Sequence, residues 1–297
     1  MAAQFSLTYY RWITQTISGR ELAAAIRRFA DQLAPELTKL LGQPVTVDVS
    51  PEMEVPDQLQ DIKAPPTDKV VGKIALMNPL GYALAHRDSA AVEAVAVVRR
   101  KIGNDPAGPS YKAQIYCHVD SEIRGLAGLR GRSFGFGSPQ STSNFLVPAN
   151  NLLRAGLHPL YSFARLEFSG GHDKVAKAVY ERRLDAGAGH DGVILDLSTK
   201  PGYSHASDRL VRLAWSEPIV SDPIAVHVPD HALRDGVQAA LLAVAKPDEQ
   251  NSPGNEAVYG FWGTREGFEA ISPDQYAPLL DYLPPLRLSG DDLLRKW

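Results

Sequence analysis

Apolar and polar positions alternate from Phe5 to Trp12, in a stretch rich in β-forming residues, and this predicts a first strand. The period then changes. Leu22, Ala25, Ile26, Phe29, Leu33, Leu37 and Leu40 recur at three- and four-residue steps, which places them on one face of a helix. Ser18-Gly19-Arg20-Glu21 has the spacing of a capping box ahead of that helix, and Gly42 is a suitable stop behind it. Val45–Val49 returns to the strand pattern. A β-α-β opening of this kind favours an α/β fold with parallel strands.

Further along, strands are predicted at Ile74–Met77, Ala94–Arg99, Ala113–Val119, Ser133–Phe136, Phe163–Phe168, Leu210–Trp215 and Ile224–Val228. A short strand and turn are expected around Ala186–Ala188 and Gly192–Leu195. Helices are predicted after Asn78-Pro79-Leu80-Gly81-Tyr82 through about Ala91, over Asn150–Ala155, Lys174–Arg182 and Ala232–Ala245, and in short pieces at Ile123–Leu129, Glu266–Ala270 and Asp274–Leu283. Pro51–Asp68, with four prolines, and Gly103–Ser110 read as loops. No internal repeat and no low-complexity segment interrupts this order.

The bulk numbers narrow the function without deciding it. The chain has 297 residues, 44% hydrophobic and 22% charged, which suggests two domains or one large one, either with ample surface to bury in a core. A net charge of −3, with no Lys/Arg run denser than Arg99-Arg100-Lys101, argues against nucleic acid as a partner. No apolar run is long enough to span a bilayer. The opening MAAQFSLTYYRWITQTISGREL does not read as a signal peptide, because Arg11 interrupts it and no basic region precedes an apolar core. The chain is therefore either a native cytosolic protein or a periplasmic or extracytoplasmic one written without its leader, and both readings stay open on the residues alone. The single cysteine, Cys117, excludes an intrachain disulfide, and in a strand it reads as a small buried hydrophobe.

Candidate chemistry concentrates at two strand-to-helix junctions. In FGFGSPQSTSNFLVP, Ser141, Thr142 and Ser143 follow a strand and a Gly-x-Gly-x-Pro turn. A helix N-terminus presents unpaired N–H groups and partial positive charge, and adjacent hydroxyls add donors for an oxyanion. Ser and Thr are also the commonest helix caps, so capping and anion binding both stay open on this stretch alone. Ser169-Gly170-Gly171-His172-Asp173 repeats the arrangement, with His172 as a further donor. If both junctions share a sheet edge they converge on one ligand, as ligands in open α/β sheets sit at the carboxyl ends of strands. No dinucleotide loop, P-loop, zinc motif or nucleophile elbow is present. Cys117 and His118 are strand neighbours that point to opposite faces, so they do not form a nucleophile–base pair. No enzyme, no metal site and no cofactor is expected.

These residues resemble a known family. Gly131-Arg-Ser-Phe-Gly-Phe-Gly-Ser-Pro-Gln-Ser-Thr-Ser-Asn-Phe-Leu-Val-Pro148 is similar to the signature of the phosphonate, phosphite and phosphate substrate-binding proteins of ABC transporters. Ser121-Glu-Ile with Leu126 and Leu129-Arg-Gly131, then Ser169–Asp173 with Asp185-Ala186, then Ser216-Glu-Pro-Ile-Val-Ser-Asp-Pro-Ile224 resemble further family pieces in the same order. The resemblance implies a two-lobe periplasmic-binding-protein fold of type II. Each lobe is a mixed, mostly parallel sheet flanked by helices, and the ligand cleft lies between them. Lobe I is expected over residues 1–115 and 225–297, and lobe II over 116–224. The family pattern implies that Ser141, Thr142, Ser143 and His172 hold the oxyanion. It also implies that Tyr82 lines the facing lobe and that Asp222 occupies an acidic position that meets a ligand amine in phosphonate binders. Asn144 and Ser138 stand where the family has Gly and Asp, and Ser50–Glu54 lacks the family's Asp-Tyr pair. The expected partners are a small oxyanion and an ABC permease, with the binding protein a monomer. The alternatives are a ligand-sensing module for a signalling partner, or an enzyme on the same fold using His172 or Cys117.

Overall fold

The computed structural model describes residues 2–14, 16–101 and 106–295. The chain divides into two units, Met1–Ser110 with Val220–Leu280 and Tyr111–Ile219 with Asp281–Trp297. The first unit opens with β1 (Ala3–Tyr9), α1 (Gly19–Leu41), β2 (Val45–Val49), α2 (Val55–Lys63), β3 (Val70–Leu76), α3 (Pro79–Asp88) and β4 (Val92–Val98). The chain then runs through β5 (Ser110–Tyr111), β6 (Ala113–His118), a 3-10 turn (Leu126–Leu129), β7 (Ser133–Phe136), a π-helical turn (Thr142–Leu146), α4 (Val147–Arg154), β8 (Arg165–Phe168), α5 (His172–Tyr180) and β9 (Ala186–His190). After α6 (Val193–Ser198), α7 (Ala206–Arg209), β10 (Leu210–Trp215) and β11 (Ile219–Val220) it returns to the first unit. There it forms β12 (Pro223–His227), α8 (His231–Val244), α9 (Pro253–Trp262), β13 (Phe268–Ala270) and a 3-10 helix (Pro273–Tyr282). The tail holds α10 (Leu283–Leu286) and α11 (Gly290–Leu294).

Unit 1 is built on a sheet ordered β13-β4-β12-β3-β1-β2. β1 runs parallel to β2 and β3, while β12 runs antiparallel to both β3 and β4. β1 to β4 therefore share one direction, and the carboxyl ends of β1, β3 and β4 lie at the same edge as the start of β12. β12 is buried along its whole length, as a central strand in a sheet covered on both faces must be. α1 covers one face with Leu22, Ala25, Ile26, Phe29, Leu33 and Leu37. Its capping box is formed: Ser18 N–H donates to Glu21 Oε2 at 2.9 Å, and Glu21 N–H donates to Ser18 Oγ at 3.3 Å.

Unit 2 is built on the order β10-β6-β9-β7-β8. β7 pairs in parallel with β8 and β9, and β6 is antiparallel to β9 and β10, so β6 alone is reversed in this sheet. Both sheets are thus mixed, with parallel and antiparallel pairs in each and helices on their faces.

Several expectations are corrected. Pro51–Asp68 is not a loop throughout, because α2 occupies Val55–Lys63. Pro56 stands at the start of this helix, where a missing N–H costs no hydrogen bond, so a proline read as a breaker is a starter. α9 goes unread for the same reason: Ser252 caps it, Pro253 begins it and Gly263 ends it. Glu266–Ala270 is not helical, because Phe268–Ala270 pairs with β4 as an edge strand. Gly192–Leu195 leads into α6 rather than a turn. The tail from Asp281 groups with unit 2. Asn150 Nδ2 donates to the Tyr282 carbonyl at 2.9 Å and fastens the tail beside α4. The predicted loop over 103–110 lies partly outside the described residues.

Candidate functional site

In unit 2, β7 and β8 are parallel neighbours, with Phe136 opposite Phe168, so the segments that leave them start at the same edge of one sheet. Backbone hydrogen bonds then join the two junctions. Ser169 N–H donates to the Phe136 carbonyl at 2.8 Å, and Gly170 N–H donates to the Gly137 carbonyl at 2.7 Å. Gly170 holds a left-handed φ of 77°, which glycine adopts without steric cost. The hydroxyl triplet and His172 are therefore brought to one sheet edge, and the shared-edge condition set by the sequence is met within this unit.

The first junction is a wide turn, not an ordinary α-helical start. Leu146 N–H reaches back five residues to the Ser141 carbonyl at 3.0 Å. Turns of this kind are rare and cluster at functional sites. Pro148 follows directly; its ring would crowd the Asn144 carbonyl in a regular helix, and the wider turn relieves that contact. Ser141 is extended, at φ −86° and ψ 129°, and its Oγ accepts from Asn144 N–H at 3.0 Å. A hydroxyl that accepts one bond keeps its own hydrogen to donate. Thr142 and Ser143 are buried, at 2% and 4% exposure. Rings of Phe136 and Phe145 meet edge to face at 5.1 Å and seat the turn on the sheet.

Asn144 carries a role the sequence did not disclose. It is fully buried, and its Oδ1 accepts from Gly137 N–H at 2.7 Å. A Cβ at Gly137 would fall 2.6 Å from Asn144 Nδ2, so glycine is required there for close approach. Gly137 thus ties Asn144 on one side to Gly170 on the other. The Asn-for-Gly replacement was visible in the sequence; its partner seven residues upstream was the missing half.

His172 opens α5 half-buried, with its ring centroid 4.8 Å from that of His190. Its Nδ1 accepts from His190 N–H at 3.2 Å, so the neutral ring carries its proton on Nε2. His190 is held similarly, with Nδ1 accepting from Gly192 N–H at 3.1 Å. Asp173 adds no uncompensated charge, because Lys177 and Lys200 each place Nζ 3.4 Å from its Oδ2. Among the described residues, no group of three or more His, Cys, Asp or Glu is placed to hold a metal ion.

The two remaining candidates lie in unit 1. Tyr82 is sealed in the core of this unit. Its hydroxyl accepts from Ala94 N–H at 2.8 Å, and its ring packs edge to face on Tyr276 at 4.8 Å. Burial pushes that hydroxyl well above the usual tyrosine range. Tyr82 is thus buried within unit 1, at the position where the resemblance implies an aromatic lining. Asp222 is buried at the start of β12, where it already has partners: Tyr10 donates to Oδ1 at 3.0 Å and Arg100 Nη2 donates to Oδ2. Arg100, which the sequence offers only as part of a solvated basic run, is thereby part of the same cluster.

Cys117 and His118 sit in β6, between β9 and β10. Burial raises the Cys117 thiol, so it holds its proton more firmly than a free cysteine does. Burial also lowers His118, aided by Arg182 and Arg209 and opposed by Asp120.

A family model described as the periplasmic substrate-binding protein of a phosphonate ABC transporter matches residues 13–276. The phosphate-import protein PhnD of Mycolicibacterium smegmatis is 29% identical over 128 residues, 41% of this chain and 39% of that protein, so the match spans under half of that relative. Among solved structures, a binding-protein component of a phosphonate ABC transporter from Pseudomonas aeruginosa superposes with a TM-score of 0.66 at 20% identity, covering 95% of this chain and 85% of that one. PhnD1 of Prochlorococcus marinus, in complex with methylphosphonate, gives 0.66 at 17% identity, covering 96% and 98%. These structural likenesses establish the type II periplasmic-binding-protein fold.

Proposed function

The chain belongs to the phosphonate-binding family of periplasmic ABC-transporter substrate-binding proteins, and from that premise we propose that it captures a small phosphorus oxyanion and delivers it to an ABC importer. The ligand is a phosphonate, phosphite or phosphate. The partner is the importer's permease, and the working location is the extracytoplasmic side of the membrane. Among the described residues no helix is long and apolar enough to cross a membrane.

The observation that carries this reading is the junction pair in unit 2. Two chain segments leave neighbouring parallel strands and are joined through Gly137 and Gly170. Ser141, Thr142 and Ser143 supply hydroxyl donors on the first, and His172 supplies its Nε2–H on the second. Helix-end N–H groups and these side chains act in the same sense on an oxyanion, and bonds to a charged acceptor are the strong ones. The relative's phosphate import and the neighbour's methylphosphonate complex support the same ligand class. The function is binding, not turnover: the homologues are transporter components, and the one thiol is buried in a strand with its proton held.

A thermal-shift panel of phosphate, phosphite, methylphosphonate and sulfate tests this reading. A ligand at a hundred times its Kd stabilises the folded state by about 2.7 kcal/mol, a rise of a few degrees in a chain of this size. A shift with at least one phosphorus oxyanion is expected, lost in Ser141→Ala/Thr142→Val. A panel in which no phosphorus oxyanion moves the midpoint overturns the reading.

A further inference from the structure

Unit 2 gathers arginines at the edge of its sheet opposite the oxyanion junctions. β7, β8, β9 and β10 share one direction and β6 runs against them, so the starts of those four strands and the end of β6 form one row. Arg209 precedes β10, Arg182 and Arg183 precede β9, Arg132 precedes β7, and Arg165 begins β8. Backbone bonds hold these approaches side by side: Val119 N–H donates to the Arg209 carbonyl at 2.7 Å, and Ala164 N–H to the Arg132 carbonyl at 3.0 Å. Arg124 and Arg130 extend the row along the segment that leads into β7. The sequence scatters these residues, so no basic run announces the edge.

All seven arginines are exposed, and they outnumber the carboxylates beside them. Glu122 and Glu181 lie 3.9 and 2.7 Å from Arg132 and Arg183. Asp185 accepts from the N–H and hydroxyl of Ser133 at 2.7 and 2.6 Å. Asp120 and Asp208 lie 3.6 and 3.5 Å from His118 and His205. Among the described residues, Arg124, Arg130, Arg165, Arg182 and Arg209 have no carboxylate within ion-pair reach. Two exposed apolar side chains share this end, Tyr161 at 79% and Val119 at 40% exposure. The loop bearing Tyr161 is tied to the row, because Gly131 N–H donates to the Ser162 carbonyl at 2.8 Å.

A guanidinium fork matches a phosphate bidentately and gives up its water readily. Exposed tyrosine beside cations suits the boundary between headgroups and acyl chains. A component of a periplasmic ABC transporter works beside a membrane, whose anionic headgroups are the charge complement of this edge. We infer that the arginine edge of unit 2 is a contact surface for anionic lipid, which holds the chain at the membrane where its importer sits. The inference goes beyond the oxyanion reading and does not use that site, which lies at least about 10 Å away along the four-residue strands β7 and β8.

Vesicle co-sedimentation of the intact chain tests it. Vesicles of phosphatidylcholine with about one third phosphatidylglycerol carry the chain down at low salt, and about 0.5 M salt releases it. Vesicles of phosphatidylcholine alone do not. An arginine near an anionic surface is worth about fivefold in partition, so Arg130→Gln/Arg165→Gln/Arg209→Gln binds about a hundredfold more weakly, with phosphate affinity within about twofold of wild type. Removing the same charge from α1 of unit 1, in Arg20→Gln/Arg27→Gln/Arg28→Gln, changes vesicle binding by less than about threefold. Failure to sediment with anionic vesicles, equal sedimentation with neutral ones, or an edge variant that binds like wild type overturns the inference. Release by saturating methylphosphonate overturns it too, by placing the lipid phosphate in the oxyanion site. Retention on a polyglutamate resin without vesicle binding overturns it in favour of an acidic protein partner. Where the edge variant does not fold, the salt, neutral-lipid and methylphosphonate arms on the wild type decide. Absence of any thermal shift with phosphorus oxyanions is the separate failure of the oxyanion reading and leaves this one standing.

Discussion

Replacing Ser141 by glycine separates its two roles. Ser141 stands in the extended conformation of an N-cap, and its Oγ accepts from Asn144 N–H at 3.0 Å. Alanine at an N-cap costs about 1 kcal/mol, and glycine only a few tenths, because water reaches the exposed donor past a residue with no side chain. Ser141 is half-buried, so that route is open here. Ser141→Ala should therefore lower the unfolding midpoint by about 2 °C, and Ser141→Gly by much less. Neither variant retains the hydroxyl hydrogen. If that hydrogen donates to a charged oxyanion, both lose a bond of about 1.5–3 kcal/mol, which is roughly 10- to 150-fold in affinity. The assay is a thermal melt without ligand beside a calorimetric titration with phosphate and methylphosphonate. The expected signature is Ser141→Gly with near-wild-type stability and strongly weakened binding. A Ser141→Gly variant that binds within about twofold of wild type would refute the donor role and leave Ser141 as a cap alone.

Tyr82→Phe should remove about 1–3 kcal/mol of stability, because it strands the buried Ala94 N–H, and it should leave oxyanion affinity unchanged; a tenfold loss of affinity would return Tyr82 to the ligand. His118 is held below its ordinary value by burial, so the unfolded chain binds the extra proton first as pH falls. Stability is full above the ordinary histidine value of about 6.5 and declines as pH drops from there toward the depressed folded value. Melts at several pH values should show a flatter profile for His118→Gln than for wild type, and identical slopes would contradict the burial argument.

Elements written in local pattern were legible. The Ser18–Glu21 box with its helical stripe, and the strands Val45–Val49, Ser133–Phe136 and Leu210–Trp215, stand where the pattern put them. α2 and α9 were hidden because proline has opposite meanings inside a helix and at its first turn, and only the cap geometry tells them apart. β13 is three residues on a sheet edge, too short to show a period. The unit 2 candidates were readable because they lie close together along two short motifs. The Arg100–Asp222 pair spans 122 positions and exists only through strand pairing. Motif order does not say which way a side chain points, and Tyr82 lies in α3, which is buried from Pro79 through Ala85.

The position of β12 has a consequence for how this chain is made. β12 lies between β3 and β4, yet more than a hundred residues separate it from β4 in sequence. A ribosome releases β1 to β4 long before their central partner exists. Until residues 223–227 emerge, β3 and β4 each keep an unpaired edge lined with apolar side chains. The sheet of unit 2, by contrast, draws all its strands from one continuous stretch and can close as soon as that stretch is free. The segment inserted second in the sequence is therefore the one placed to fold first, and the N-terminal strands must be shielded from self-association during the interval.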